Sequence, residues 1–172
     1  MELLSSDTNI WIDFALTESL EEPFLLGEKY TYLMSADALM DEVLSPPELG
    51  KRLLELGVKA VEINEEEYRL ANDYVQKYRR LSVYDSIAMS IAKSRKIILL
   101  SGDGALRNAG RLEGLEVHGT LWVLDELIRG DKITAERYRE ILTVMKHYVG
   151  GRIRLPEHEI DKRIESSERL RA

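Results

Sequence analysis

The chain has 172 residues, 44% of them hydrophobic, and a formal net charge of −7. That length suits one globular domain, which would bury roughly 70% of its unfolded-chain surface around a single core. Without cysteine the chain has no disulfides, thiolate zinc sites or cysteine nucleophiles, a composition that suits a reducing compartment and makes a cytoplasmic location the expectation. The acidic balance argues against a passive nucleic-acid binder, because such binding draws on lysine and arginine. It argues less against a metal nuclease, in which bound cations reverse the local sign of clustered carboxylates.

The opening MELLSSDTNIWIDF has no basic segment ahead of an apolar stretch, so neither a signal peptide nor a membrane anchor is expected. Residues 1–6 read as a strand ending at Asp7-Thr8-Asn9, where a helix starts near Asn9. Asp7 is thereby placed at the strand's carboxyl end. Residues 30–33 are β-prone, and Ser35 precedes a short helix over 36–44 that Pro46-Pro47 ends. Leu49, Leu53, Leu54 and Leu56 fit a helix closing at Gly57, and 58–63 supply a strand. Asn64 and Glu67 match a helix-starting cap for a helix over 65–80. A second start signal at Ser82 opens a helix with Ile87, Ala88, Ile91 and Ala92 on its apolar face.

Residues 97–100 form a continuous apolar strand that ends in Ser101-Gly102-Asp103-Gly104, a turn opening the next helix through Ala105, Leu106 and Ala109. One more short strand follows over 115–118. Beyond Thr120 the pattern is helical, with one stripe at Leu121, Leu124 and Ile128 and a stronger one at Tyr138, Ile141, Leu142, Met145 and Val149. Gly150-Gly151 punctuates it. The tail from Arg152 reads as a docked helix or a frayed arm. Alternating strands and helices with short apolar strands predict an α/β fold, a parallel β-sheet with helices on both faces in three layers. Ligands in such sheets collect at the strands' carboxyl ends.

Asp7, Asp85 and Asp103 occupy positions that such a sheet would present together, and Glu42 on the short second helix could join them. Hard divalent cations take oxygen ligands, magnesium usually a few carboxylates completed by waters and substrate phosphate. Each residue also has a plain structural explanation. Asp7 and Asp103 fit helix caps, and Ser82-x-x-Asp85 is a capping-box pattern. Asp37 and Asp41 are rival carboxylates to Glu42. Asp13, on the first helix, is expected in solvent. Arg107, four residues past Asp103, is expected to pair with it. Lys93, Arg95 and Lys96 make a small basic patch that could touch an RNA backbone or simply complement a helix end. Trp11 and Trp122 read as core or interface aromatics.

Scattered His118, His147 and His158 lack the spacing of a zinc site or serine triad. Gly102-Asp103-Gly104 is not a dinucleotide fingerprint and no Gly-Lys-Ser/Thr phosphate loop exists, so no nucleotide cofactor is expected. A receiver-like phosphoacceptor domain also gathers aspartates at strand ends, but no lysine ends a later strand here.

Four blocks of residues resemble the PIN-domain family in order and spacing: Ser6-Asp7-Thr8-Asn9, Met40-Asp41-Glu42-Val43, Tyr84-Asp85-Ser86-Ile87-Ala88, and Ser101-Gly102-Asp103. The resemblance runs from Leu3 to about Leu124. It implies a magnesium- or manganese-dependent endoribonuclease whose metal-holding and catalytic acids are Asp7, Glu42, Asp85 and Asp103, supported by Thr8, Asn9 and Ser101. It further implies an RNA substrate, often a toxin role with an antitoxin partner, and frequent homodimers. The other reading is a catalytically silent binding module with the same fold. On this view residues 1–125 form the nuclease domain, and 126–172 form a helical extension packed on it that is longer than a toxin core needs.

Overall fold

The structure, a computed structural model, describes residues 1–42 and 48–169. Strand β1 (Glu2–Ser6) leads into α1 (Thr8–Leu16). A 3-10 turn (Glu22–Leu26) precedes β2 (Tyr30–Ser35), and a π-helical turn (Ala38–Glu42) follows it. Then come α2 (Leu49–Leu56), β3 (Lys59–Val61), the mutually packed α3 (Glu65–Lys77) and α4 (Val83–Arg95), β4 (Ile98–Leu100) and α5 (Gly104–Leu112). Strand β5 (Val117–His118) and helices α6 (Thr120–Arg129), α7 (Ala135–His147) and α8 (Glu157–Arg169) complete the described chain.

The five strands are all parallel in the order β3-β2-β1-β4-β5, so the expected α/β architecture is observed. The central strands bury both faces. Leu4, Ile98 and Leu100 join α1, α6 and α7 in one core, whereas Leu99 faces Met89 of α4 and Leu106 and Ala109 of α5. This is the period-two alternation of a strand covered on both sides. Edge strands β3 and β5 are shorter than the apolar runs that predict them, because each has a single neighbour to pair with; Ile63, beyond β3, packs instead with Ile87 and Ile91 of α4.

The tail from Arg152 turns out to be docked. Ile153, Leu155 and Ile160 enter the same core as Leu4 and Trp11, and Arg163 of α8 holds Asp125 of α6 at 2.8 Å. The helix expected over 36–44 is present as a π-helical turn as far as Glu42; Leu44 and the Pro46-Pro47 stop lie outside the described residues. Among the described residues no helix is long and apolar enough to cross a membrane.

Strand order decides where a site can form. From central β1 the chain runs outward to β2 and β3, then returns to the other side of β1 as β4. That reversal leaves a crevice between β1 and β4 at their carboxyl ends, the general ligand position of open α/β sheets. In register, Ser6 lies opposite Leu100, and the Asp7 amide continues the ladder by donating to the Leu100 carbonyl at 3.0 Å.

Candidate active site

Asp7 and the Ser101–Asp103 turn therefore leave adjacent strands side by side. Ser6 braces this corner: its hydroxyl donates to the Leu33 carbonyl at 3.0 Å and accepts from Trp11 Nε1 at 3.1 Å. The indole, buried and stacked on Phe24, thus ties α1 to β1 and fixes the bend at Asp7. The Asp7 carboxylate caps α1, with Oδ1 accepting from the Ile10 amide at 3.1 Å and from the Gly102 amide at 3.4 Å. Oδ2 accepts from the Ser101 hydroxyl at 2.5 Å. Ser101 also accepts from the Asp103 amide at 3.0 Å, so one hydroxyl orients both ends of the crevice.

Asp103 caps α5 through Ala105 at 3.1 Å. Asp85 forms a reciprocal capping box with Ser82: its Oδ2 accepts from the Ser82 amide at 2.9 Å while its own amide donates to the Ser82 hydroxyl at 3.0 Å. All three aspartates are thus helix-starting residues, as their local sequence suggests. In Asp85 and Asp103 capping uses one carboxylate oxygen; no hydrogen bond is made to the other among the described residues.

Their electrostatics go beyond capping. Burial pushes the Asp7 carboxyl up to about 7, against hydrogen bonds from Ser101 and Ile10 that favour its charge, and the neighbouring charge of Asp85 raises it further. Burial likewise raises Asp85, held back by the Ser82 bonds and raised again by Asp103. The three carboxylates therefore sense one another in sequence across the crevice; among the described residues no lysine or arginine forms an ion pair with Asp7 or Asp85, and the Arg107 guanidinium feels the charge of Asp7 without bonding it. This is the donor chemistry a hard cation takes. Among the described residues, however, no three acids or histidines come together closely enough to hold a metal by themselves. The set fits a partly hydrated ion held by one or two carboxylates, as magnesium usually is.

Glu42 ends the π-helical turn, and its side chain lies outside the described residues. The turn itself packs against the start of α4, because Tyr84, beside Asp85, donates to Asp41 Oδ2 at 2.9 Å. Asp37 is exposed. Of the supporting residues, Thr8 is buried and Asn9 is exposed at the rim of a cleft of about 710 Å³ that also meets Asp13 and Asp103.

Two sequence expectations are corrected. Asp13 is not in solvent: it is 4% exposed, accepts from the Thr120 hydroxyl at 2.7 Å, and is pushed up to about 7 by burial, against the Thr120 bond and the Arg107 charge. Its position three residues past buried Ile10 puts it on the inward stripe of α1, a spacing that could have revealed it. Arg107 does not pair with Asp103; its guanidinium donates to the Ser101 carbonyl at 3.1 Å, bracing the turn from behind. Of the two readings of Lys93, Arg95 and Lys96, the helix-end one fits: Lys93 and Arg95 lie in the last turn of α4 and Lys96 ends it. Lys93 and Lys96 line a separate cleft at the opposite ends of β1 and β4, and Arg95 is held by Glu67. Trp11 is a core residue, while Trp122 stacks on His118 with ring centroids 4.2 Å apart.

Gly102 has a contact-based requirement. A Cβ there would lie 2.9 Å from Asp13 Oδ2 and 3.1 Å from the Asn9 backbone. Glycine lets the β4–α5 turn approach the first turn of α1 closely enough for its amide to reach Asp7.

A family model described as DUF3368, PIN domain, matches residues 4–169. Among solved structures, the crystal structure of PAE2754 from Pyrobaculum aerophilum is similar at 20% sequence identity, with 75% of this chain and 98% of that chain covered and a TM-score of 0.48. No curated protein gives a significant match.

Proposed function

The chain belongs to the PIN-domain family, and from that membership we propose that it is a metal-dependent endoribonuclease, a hydrolase of RNA phosphodiesters that uses Asp7, Glu42, Asp85 and Asp103. PIN domains are in general nucleases. The observation that carries the reading is the crevice between β1 and β4, where Asp7, Asp85 and Asp103 come together from three helix starts and burial raises Asp7 and Asp85, with the charge of Asp85 adding to the rise of Asp7 and that of Asp103 to the rise of Asp85. Helix capping explains each aspartate singly, but not the gathering of three of them, since burying carboxylates side by side is costly.

Magnesium or manganese would be held by Asp7 and Asp103, completed by Asp85 and Glu42. When bound, the divalent cation supplies charge neutralisation for the phosphate and makes water a stronger nucleophile. The residues of the chain set the geometry. Ser101 orients Asp7 Oδ2, the amides of Ile10 and Gly102 fix Oδ1, and the caps on α4 and α5 hold Asp85 and Asp103 with one oxygen each left for a ligand. Water attacks phosphorus, the bond to the departing sugar oxygen breaks, and no covalent enzyme intermediate is required. The expectation of an antitoxin or of a second copy rests on the family resemblance alone.

The test is calorimetric titration with manganese or magnesium of the wild type and Asp103→Asn, beside cleavage of structured and unstructured RNA. Metal-dependent cleavage by the wild type, with binding and cleavage lost in the variant, supports the nuclease. Absence of metal uptake by both proteins would sink it and leave a binding module on the same fold.

A further inference from the structure

The cleft beside Asp103 has two walls from distant parts of the sequence. One is the first turns of α1 with Asn9 and Asp13 and the Gly102–Asp103 turn; the other is the segment between α7 and α8, which contributes Arg152 and Arg154. Burial alternates along that segment. Ile153 and Leu155 are inserted in the main core, while Arg152 and Arg154 between and before them are exposed. Two inward apolar anchors therefore set two arginines on the cleft side, and the Ile153 amide's bond to the Tyr148 carbonyl at 3.2 Å closes the turn that contains Arg152 and precedes Arg154.

Several arginines have no ion pair among the described residues, Arg69, Arg79 and Arg80 included; what sets Arg152 and Arg154 apart is that they also line the cleft. In a chain of net charge −7, Arg52, Arg95, Arg129, Arg137 and Arg163 are each in an ion pair with a carboxylate. Arg152 and Arg154 have no hydrogen bond or ion pair among the described residues, and they open onto the same cleft as Asp103. The acids sharing the lining do not pair with them: Asp13 is engaged by Thr120, and Glu18 points an exposed side chain without an ion pair to either arginine. Guanidinium groups suit phosphate because their forked donors match its oxygens.

We propose that Arg152 and Arg154 are phosphate-binding residues, and that the cleft between α1 and the α7–α8 segment carries the backbone of a single RNA strand to the carboxylates. This rests on the nuclease reading for the identity of the strand, and it assigns to the helical extension a part in substrate binding. Recognition through phosphates fixes the position of the strand and carries no base sequence.

The experiment measures binding of a short single-stranded RNA to the full chain, in chelator to prevent cleavage, over a range of salt concentrations. Losing two phosphate contacts in Arg152→Gln/Arg154→Gln should make the slope of log affinity against log salt shallower by about 1.4 and weaken binding to all sequences alike. The Arg152→Lys/Arg154→Lys chain should keep the wild-type slope. Both side chains are exposed, so matched melting curves establish that the variants are folded. An unchanged slope in the glutamine variant overturns the proposal, and so does competition by polyglutamate equal to that by RNA, which would make the cleft a site for acidic peptide. A metal-dependent cleavage assay separates the two readings. Cleavage with an unchanged slope overturns the cleft assignment and keeps the nuclease; a reduced slope without cleavage supports the cleft and removes the nuclease.

Discussion

Two regions of this molecule bury carboxylates, and they treat them in opposite ways. On the α3–α4 flank, Glu67 is fully buried, yet Arg95 reaches it at 2.7 Å and the Asn64 amide at 3.0 Å. Burial would raise its pKa, but those bonds hold it below the usual carboxylate range. Glu126 on α6 is similar, bonded by Lys29 at 2.7 Å and Tyr30 at 2.8 Å, with its pKa lowered despite burial. In the β1–β4 crevice, Asp7, Asp13 and Asp85 are raised by the same burial; their hydrogen-bond partners are hydroxyls and amides, and the Arg107 charge near Asp7 and Asp13 does not outweigh burial. Where a carboxylate serves the fold, the chain supplies the cation. Where no ion pair is made, the charge is available to a ligand from outside.

The sharpest way to break this contrast is to neutralise one member of each set. Asp7→Asn or Asp103→Asn should reduce metal-dependent RNA cleavage by at least about 100-fold, since even groups behind a metal ligand cost 10- to 100-fold, and neither should lower the metal-free melting temperature. Cleavage surviving in both would remove these residues from the site. Glu67→Ala should do the reverse, costing about 3 kcal/mol of stability in a denaturant titration by stranding Arg95, the low end of that range because Arg95 is partly exposed. Its RNA cleavage should persist below the melting temperature.

A pH series separates the sets by sign. Asp7 and Asp13 move from 3.8 to about 7 on folding, so between about pH 4 and pH 7 the folded chain holds more protons than the unfolded chain. On these two groups stability falls as pH rises through that window and levels off above it. Glu67 and Glu126, with lowered pKa values, contribute stability at neutral pH that is lost as pH falls through the acid range. Metal-free melting of Asp7→Asn should therefore fall less than the wild type between about pH 5 and pH 8; parallel curves would mean that the Asp7 charge is better solvated than its burial implies. The smallest effect expected is that of Thr120→Val, which removes the donor to Asp13 and should cost about 1 kcal/mol, a melting shift of roughly 3 °C.

Much of this could be read from residues. The strand-to-helix junctions at Asp7 and Asp103, the Asn64–Glu67 and Ser82–Asp85 capping boxes and the helical stripes after Thr120 are local signals, written in neighbouring positions whose chemistry acts within one turn of backbone. Asp13 and Arg107 were misplaced for the complementary reason. Asp13 is bonded by Thr120, 107 residues away, and Arg107 is turned from Asp103 by the Ser101 carbonyl just past β4. Local spacing cannot see either partner.

By itself the sequence determined the alternation of strands and helices, the capping chemistry at each aspartate and the family resemblance that brought four acids into one list. Tertiary structure alone decided that β1 lies beside β4, that the Ser101 hydroxyl bonds Asp7, and that Arg152 and Arg154 open onto the cleft at Asp103. Periodicity reports which face of an element is apolar. Which two faces meet depends on strand order and on the packing of distant side chains, and there the charge of a buried carboxylate is set.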